Sequence, residues 1–277
     1  MIYQYTSIEK LRLILNSKKI RFTRLDKVDD KDESEPFKNR KIADKIFVSC
    51  WTEDADENLA LWSMYGAIFK GVRIGLKRPI FKLKKVNYRT YRGLDIKNNL
   101  NKSVLIPPHE MITSKYFIVP SFYKDITFFK RMEYVNSDEL EEKFNQYSDF
   151  KINENEATIS LDFQEVAKYK KKEWKQQLES RYILGIIPFQ KELDFEPNFN
   201  NMNHINHISS MLVSSLINGV ELNFTYYDID LDDDCLNNME VMVGSKCTLE
   251  QYESIEQLLK EKCANYQILK SKLNFAE

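Results

Sequence analysis

KKKEWKQQLESRYILGIIP, residues 170–188, is the stretch on which the fold turns. Its second half, Arg181–Pro188, is nearly all apolar, the pattern of a strand buried on both faces. Ahead of it, the basic run Lys168–Lys172 leads into Trp174 and reads as the solvated start of a helix, with phosphate contact as the rival reading. Glu179 and Arg181 stand two residues apart, so on a strand they share a face. In purely structural terms they form a partly buried ion pair that holds the sheet.

Towards the N-terminus, Ile46–Cys50 (IFVSC) and Gly71–Leu76 (GVRIGL) read as further strands, the first of them internal, with a short helix Asn58–Tyr65 between them. Val86–Tyr91 extends the same sheet. Ile2–Thr6 alternates as a strand, and Thr6 with Glu9 sets out a capping box for a helix over Ser7–Ser17. Lys18–Leu25 returns to strand alternation with Ile20, Phe22 and Leu25 inward. On the C-terminal side, Ile205, Ile208, Met211, Leu212 and Leu216 mark a helix over His204–Asn218. Glu240–Val243 is a strand, Thr248 and Gln251 cap a last helix, and Tyr266–Leu273 closes the chain as a strand. Residues 95–164, punctuated by Pro107-Pro108 and Pro120, read as a mostly helical insertion with a charged helix at Ser137–Tyr147. The fold class is α+β: one domain over 1–277, built on a mixed sheet, with the insertion at 95–164.

Composition removes several functions. The chain has 277 residues and a net charge of −1, so overall charge does not hold it to nucleic acid, though a local basic groove is compatible. It has only 7 glycines, against an average near 7% of residues, and none forms GxGxxG or GxxxxGK[ST]. Rossmann and P-loop nucleotide sites are excluded. No apolar run approaches the ~18 residues of a membrane span. Cys50, Cys235, Cys247 and Cys263 lack CxxC spacing and read as reduced thiols, so a cytoplasmic protein with no membrane partner is expected. His204 and His207 share a helix but lack a third zinc ligand. The acidic loop Asp26–Glu35 reads as solvated, with Asp29, Asp30 and Glu33 as metal or substrate ligands in the alternative reading, close enough to present several carboxylates to a hard cation.

In this order, several segments resemble a bacterial family known only as domain of unknown function twenty-nine seventy-one. They are IYQYTSIEKLRLILNSKKIRF, LDKVDDKDE, FVSCWTEDADENLALWSMYGAIFKGVRIGL, KKKEWKQQLESRYI and MEVMVGSKCTLEQYESIEQLL. The acidic loop departs from that family's usual N-D-P-x-E, and Gln177 stands where the family usually has Glu.

A second resemblance is to the ADP-ribosyltransferase fold. Tyr3-Gln4-Tyr5-Thr6, a helix and Lys19-Ile20 follow its opening order. Phe47-Val48-Ser49, then Trp62 and Tyr65, then Gly71–Gly75 follow its middle, and Gln177-Leu178-Glu179 its closing [Q/E]-x-E. That resemblance implies NAD⁺ as substrate, bound without a glycine-rich loop. Glu179 is then the catalytic carboxylate, with Gln177 and Arg181 beside it. Trp62 or Tyr65 stacks on nicotinamide, Gln4 and Thr6 hold the adenosine ribose, and Ser49 supports the site. Gln4 stands in place of the usual His or Arg. The chain is then a transferase or NAD⁺-cleaving effector, a toxin or an element of antiviral defence, whose acceptor is protein or nucleic acid.

Two rival functions stay open. A nuclease would hold Mg²⁺ on Asp30, Glu33 and Glu179, with Arg21, Arg24 and Lys170–Lys172 on phosphates. A catalytically silent module would bind a partner protein within a defence or regulatory assembly. The aromatic segment Lys115–Tyr134 serves either as buried core or as a homo-oligomer contact.

Overall fold

The strand expected at 181–188 runs from Glu179 to Pro188, and every residue of it is buried. The computed structural model describes residues 1–86, 90–95, 103–119, 128–152 and 157–274. On one side the strand pairs antiparallel with Ile46–Thr52, from Glu179↔Thr52 to Gly185↔Ile46. On the other it takes Phe129–Arg131 and Tyr116–Val119 in succession. Side chains alternate between two cores. Tyr182, Leu184 and Ile186 pack with Phe22, Phe47 and Ile74, whereas Ile183 and Ile187 pack with Val48, Phe163 and Leu216. A strand covered on both faces needs no polar alternation, which is why the segment reads as an unbroken apolar run.

The far edge of Ile46–Thr52 is shared by two strands. Ile2–Thr6 meets it at Tyr3↔Thr52, and Lys19–Arg24 meets it at Thr23↔Val48 and Arg24↔Phe47. The edge over Ser49–Trp51 therefore lies between two diverging strands. Cys50 still presents a carbonyl there, and the Gln4 amide nitrogen donates to it at 2.9 Å. Beyond the split, Ile2–Thr6 pairs with Val72–Leu76, which pairs with Asn238–Val243, all antiparallel. Asn265–Lys270 joins in parallel and Tyr226–Asp230 flanks Lys19–Arg24, completing a mixed sheet of 10 strands. The α+β expectation holds at this level.

Several expectations need correction. The first helix, Ile8–Ser17, is capped by Ser7, whose hydroxyl accepts from Lys10 N; Thr6 stays in its strand opposite Val72. The final helix, Leu249–Lys262, does carry the expected capping box of Thr248 and Gln251. Residues 95–164 are not mostly helical where they are described. They hold the helix Glu139–Gln146, the hairpin Ser148–Ile152 with Ala157–Leu161, and two strands of the main sheet. Residues 96–102, 120–127 and 153–156 of that span lie outside the described set. Thr90–Tyr91 pairs locally with Leu94–Asp95 instead of extending the main sheet. In the aromatic segment, Ile118, Phe128 and Phe129 are core.

Glycine serves close packing here. A Cβ at Gly71 would sit 2.3 Å from the Thr6 carbonyl oxygen, so only glycine lets these neighbouring strands approach. The four cysteines are free thiols. Among the described residues no helix is long and apolar enough to cross a membrane.

Candidate functional site

The split in the sheet opens into a cleft of about 540 Å³. Its wall includes Gln4 and Thr6 from one strand, Ser49 and Cys50 from the next, and Glu179 and Arg181 from the third. Tyr65, Lys170, Gln177, Asp30 and Glu33 line it as well. Apart from Trp62, the residues expected to handle NAD⁺ and those expected to hold a metal therefore converge on one site.

Local geometry delivers Gln177 and Glu179 to it. A short 3₁₀ helix, Lys172–Gln177, ends where Leu178 takes a left-handed backbone at φ 45°, and the strand begins at once with Glu179. The Tyr134 hydroxyl accepts from Glu179 N at 2.8 Å, which ties the start of the strand. Gln177 accepts from Lys170 Nζ at 2.8 Å and donates from Nε2 to the Tyr65 hydroxyl at 3.3 Å.

At the centre is a closed ring of four charges. Arg181 reaches Glu33 Oε2 at 2.7 Å and Glu179 Oε1 at 2.6 Å. Lys170 reaches Glu33 Oε1 at 2.8 Å and Glu179 Oε2 at 3.1 Å. All four side chains are buried, and the Trp174 ring lies 4.9 Å from the Lys170 ammonium. Charges this deep are tolerated only when paired and hydrogen-bonded, and each of these has two opposite partners. Burial works to raise the Glu179 carboxyl, but Arg181 and then Lys170 overcome it and hold it at about 2. Burial, then the Glu179 charge, pushes the Cys50 thiol well above its usual value, so it is no nucleophile. Burial likewise lifts the Tyr65 phenol to about 12, which keeps it neutral.

Sequence reasoning misjudged three features. Trp62 is 0% exposed and no wall of the cleft; it packs edge-on against Tyr5 at 5.0 Å and donates to Glu57 Oε2 at 3.0 Å. Of the two rings offered as alternatives for stacking on a ligand, only Tyr65 lines the cleft. The acidic loop is not solvated at Asp30 and Glu33, because Lys170 and Arg181 draw it onto the sheet. Lys170 entered sequence reasoning only as part of a basic run, and it is a buried member of the ring. The alternation Lys170-x-x-x-x-x-x-Gln177-x-Glu179 gives no hint of the contact, which arises from tertiary packing.

The metal reading does not fit these residues. Glu33 and Glu179 each already hold two cationic side chains, and among the described residues no group of three His, Cys, Asp or Glu could hold a metal ion. Of the phosphate-binding cations proposed with it besides Lys170, Arg24 pairs with Asp26 at 2.6 Å, Arg21 with Asp228 at 3.0 Å and Lys171 with Asp32 at 2.8 Å. His204 and His207 pack against Phe195, at 4.7 Å and 5.5 Å.

Comparison with protein-family models, with curated proteins and with solved structures finds no match to this chain.

Proposed function

We propose that the cleft binds NAD⁺ and that the protein breaks its nicotinamide–ribose bond, passing ADP-ribose to an acceptor. The observation that carries this reading is the split between Ile2–Thr6 and Ile46–Thr52. It gathers Gln4, Thr6, Ser49, Tyr65, Gln177 and Glu179 around one cavity of a size suited to a nucleotide. The order of those residues along the chain is the order in which the ADP-ribosyltransferase fold uses them, and that resemblance supplies the reaction.

Breaking the glycosidic bond passes through an oxocarbenium-like state, which a fixed anion stabilises as charge develops. Glu179, held near 2, carries its charge throughout the physiological range. Arg181 and Lys170 fix its orientation, so no reorganisation is needed during reaction. The neutral Tyr65 ring stacks on the departing nicotinamide. Gln4 and Thr6 hold the adenosine ribose, and Ser49, which accepts from Trp51 Nε1 at 3.0 Å, stiffens the floor.

A second reading rests on one observation: both Glu179 oxygens are occupied by Arg181 and Lys170. A cleft locked in that state binds NAD⁺ without turning it over and acts as a sensing module for a partner. The deciding experiment is NAD⁺ consumption by the purified chain, with and without EDTA, beside Glu179→Gln. Loss of NAD⁺ that ignores EDTA and vanishes in the variant is the expected result. Calorimetric NAD⁺ binding with no turnover, even with cell lysate supplying acceptors, favours the module. Neither binding nor turnover overturns both.

A further inference from the structure

Asp30 is the buried carboxylate of the cleft that the ring of charges leaves over. It is 6% exposed, it lines the cavity, and its Oδ2 has no hydrogen-bond partner among the described residues. Its other oxygen, Oδ1, accepts from Asp32 N at 3.0 Å, which fixes the side chain. A buried carboxylate oxygen without a donor is costly, and native structures keep such a group where a ligand or a reaction satisfies it.

Transfer of ADP-ribose needs a base as well as the anion beside the ribose, because the acceptor must lose a proton. Of the other acidic groups that line the cleft, Asp29 is exposed to solvent, and the rest are unsuited to that work. Glu179 is held too acidic, Glu33 is bound by both Arg181 and Lys170, and Asp228 is gripped by Arg21 through both of its oxygens. Gln177, two residues before Glu179, is an amide and takes no proton.

We infer that Asp30 is the general base of the site, acting on a neutral hydroxyl nucleophile of which water is the simplest. The inference rests on the NAD⁺-cleaving reading of the same cleft. A neutral hydroxyl gives up its proton, which a carboxylate can accept, only as its oxygen bonds to C1′, whereas a guanidinium would have to be deprotonated first. In the step, the oxygen lone pair of the nucleophile forms the new bond to C1′ of the ribose. The C1′–N bond breaks and its electron pair leaves with nicotinamide, cancelling the positive charge on that ring. Asp30 Oδ2 takes the hydroxyl proton and afterwards gives it to solvent.

The groups acting on Asp30 fit the task. Burial, then Glu33 on the same turn, raise its carboxyl above the usual range; Lys170, from the strand packed over that turn, and the Asp32 N–H oppose them, and the Asp32 charge adds a small upward push. A carboxylate made more basic than usual is a better proton acceptor near neutral pH.

The test follows nicotinamide release from NAD⁺ by the full chain, with water as acceptor, between pH 4 and 9. For the parent protein kcat rises with pH through a value above the ordinary aspartate range and then levels. In Asp30→Asn kcat falls about 100-fold and that rise disappears, while KM for NAD⁺ stays within about twofold. Added formate restores about tenfold of the loss in Asp30→Ala, a rescue that a structural role does not produce and that holds if the Asn variant melts early. An Asp30→Asn enzyme within about threefold of the parent, with the same pH profile and with Glu179→Gln inactive, removes Asp30 but leaves the NAD⁺ reading standing. A folded parent protein that releases no nicotinamide overturns both.

Discussion

Arg181 is the side chain on which the buried ring depends, because it alone binds both carboxylates through several nitrogens. It contacts Glu179 through Nε at 2.8 Å and Glu33 through Nη1 and Nη2 at 2.7 and 3.3 Å. Replacing it with methionine keeps the bulk but strands two buried anions on Lys170. Arg181→Met is therefore expected to lose about 3–5 kcal/mol in urea denaturation, and Lys170→Met less, since both carboxylates then keep Arg181. A loss below about 1 kcal/mol for Arg181→Met would mean that the ring is not a unit. Half of this unit was legible: residues two apart on a strand share a face, so Glu179 and Arg181 were expected to pair. Glu33 lies 148 positions from Arg181, and no local pattern announces a contact across that distance. Trp62 fails for the same reason. At helical spacing it is indistinguishable from Tyr65, and only the packing of Tyr5 and Glu57 onto its indole shows that it is core.

At the scale of elements, the helix Ile8–Ser17 forms one side of the cleft through Lys10, Leu13, Ile14 and Ser17, so its start must be fixed. Ser7 does this, and Ser7→Ala is expected to cost about 1 kcal/mol. Glu9→Ala is expected to cost less than half of that, because Glu9 closes no capping box; thermal melts of the two variants check the order. An equal or larger loss at Glu9 would restore the box anchored on Thr6. Residue types alone favoured Thr6 because T-x-x-E is the commoner signature. The structure prefers Ser7 because Thr6 spends its backbone on the ladder to Val72. The long strands and helices were legible from apolar periodicity, since each repeats its pattern several times. Residues 95–164 were not, because strands such as Phe129–Arg131 and Tyr116–Val119 hold only 3 or 4 residues. They exist by pairing with Glu179–Pro188, not by any preference of their own.

For the whole molecule, the balance of buried charge fixes how stability follows pH. Glu179 is held at about 2 against its ordinary 4.5, so its contribution is fully present above pH 4.5 and is lost as pH falls from there towards 2. Glu53, Glu165 and Asp233 are also held low, so they act with the same sign. Asp30 and Asp44 act in the opposite sense. Burial raises both, so the folded state takes up their protons first and gains stability as pH falls towards 3.8. At the alkaline end Tyr65, raised from 10.0 to about 12, opposes folding as pH climbs between those values. Lys170, held above its ordinary 10.5, gives its stabilisation fully below that pH and loses it above. The expected Tm profile is a plateau from near pH 5 to near pH 10, with the acid limb steeper. Glu179→Gln is expected to lower Tm most on that plateau. The gap to the parent protein then narrows as pH falls from about 4.5 towards about 2, where the parent carboxyl is itself protonated. A gap that stays constant across this window would mean that Arg181 and Lys170 do not hold the Glu179 carboxyl down. The electrostatic case for its role beside the ribose would fall with it.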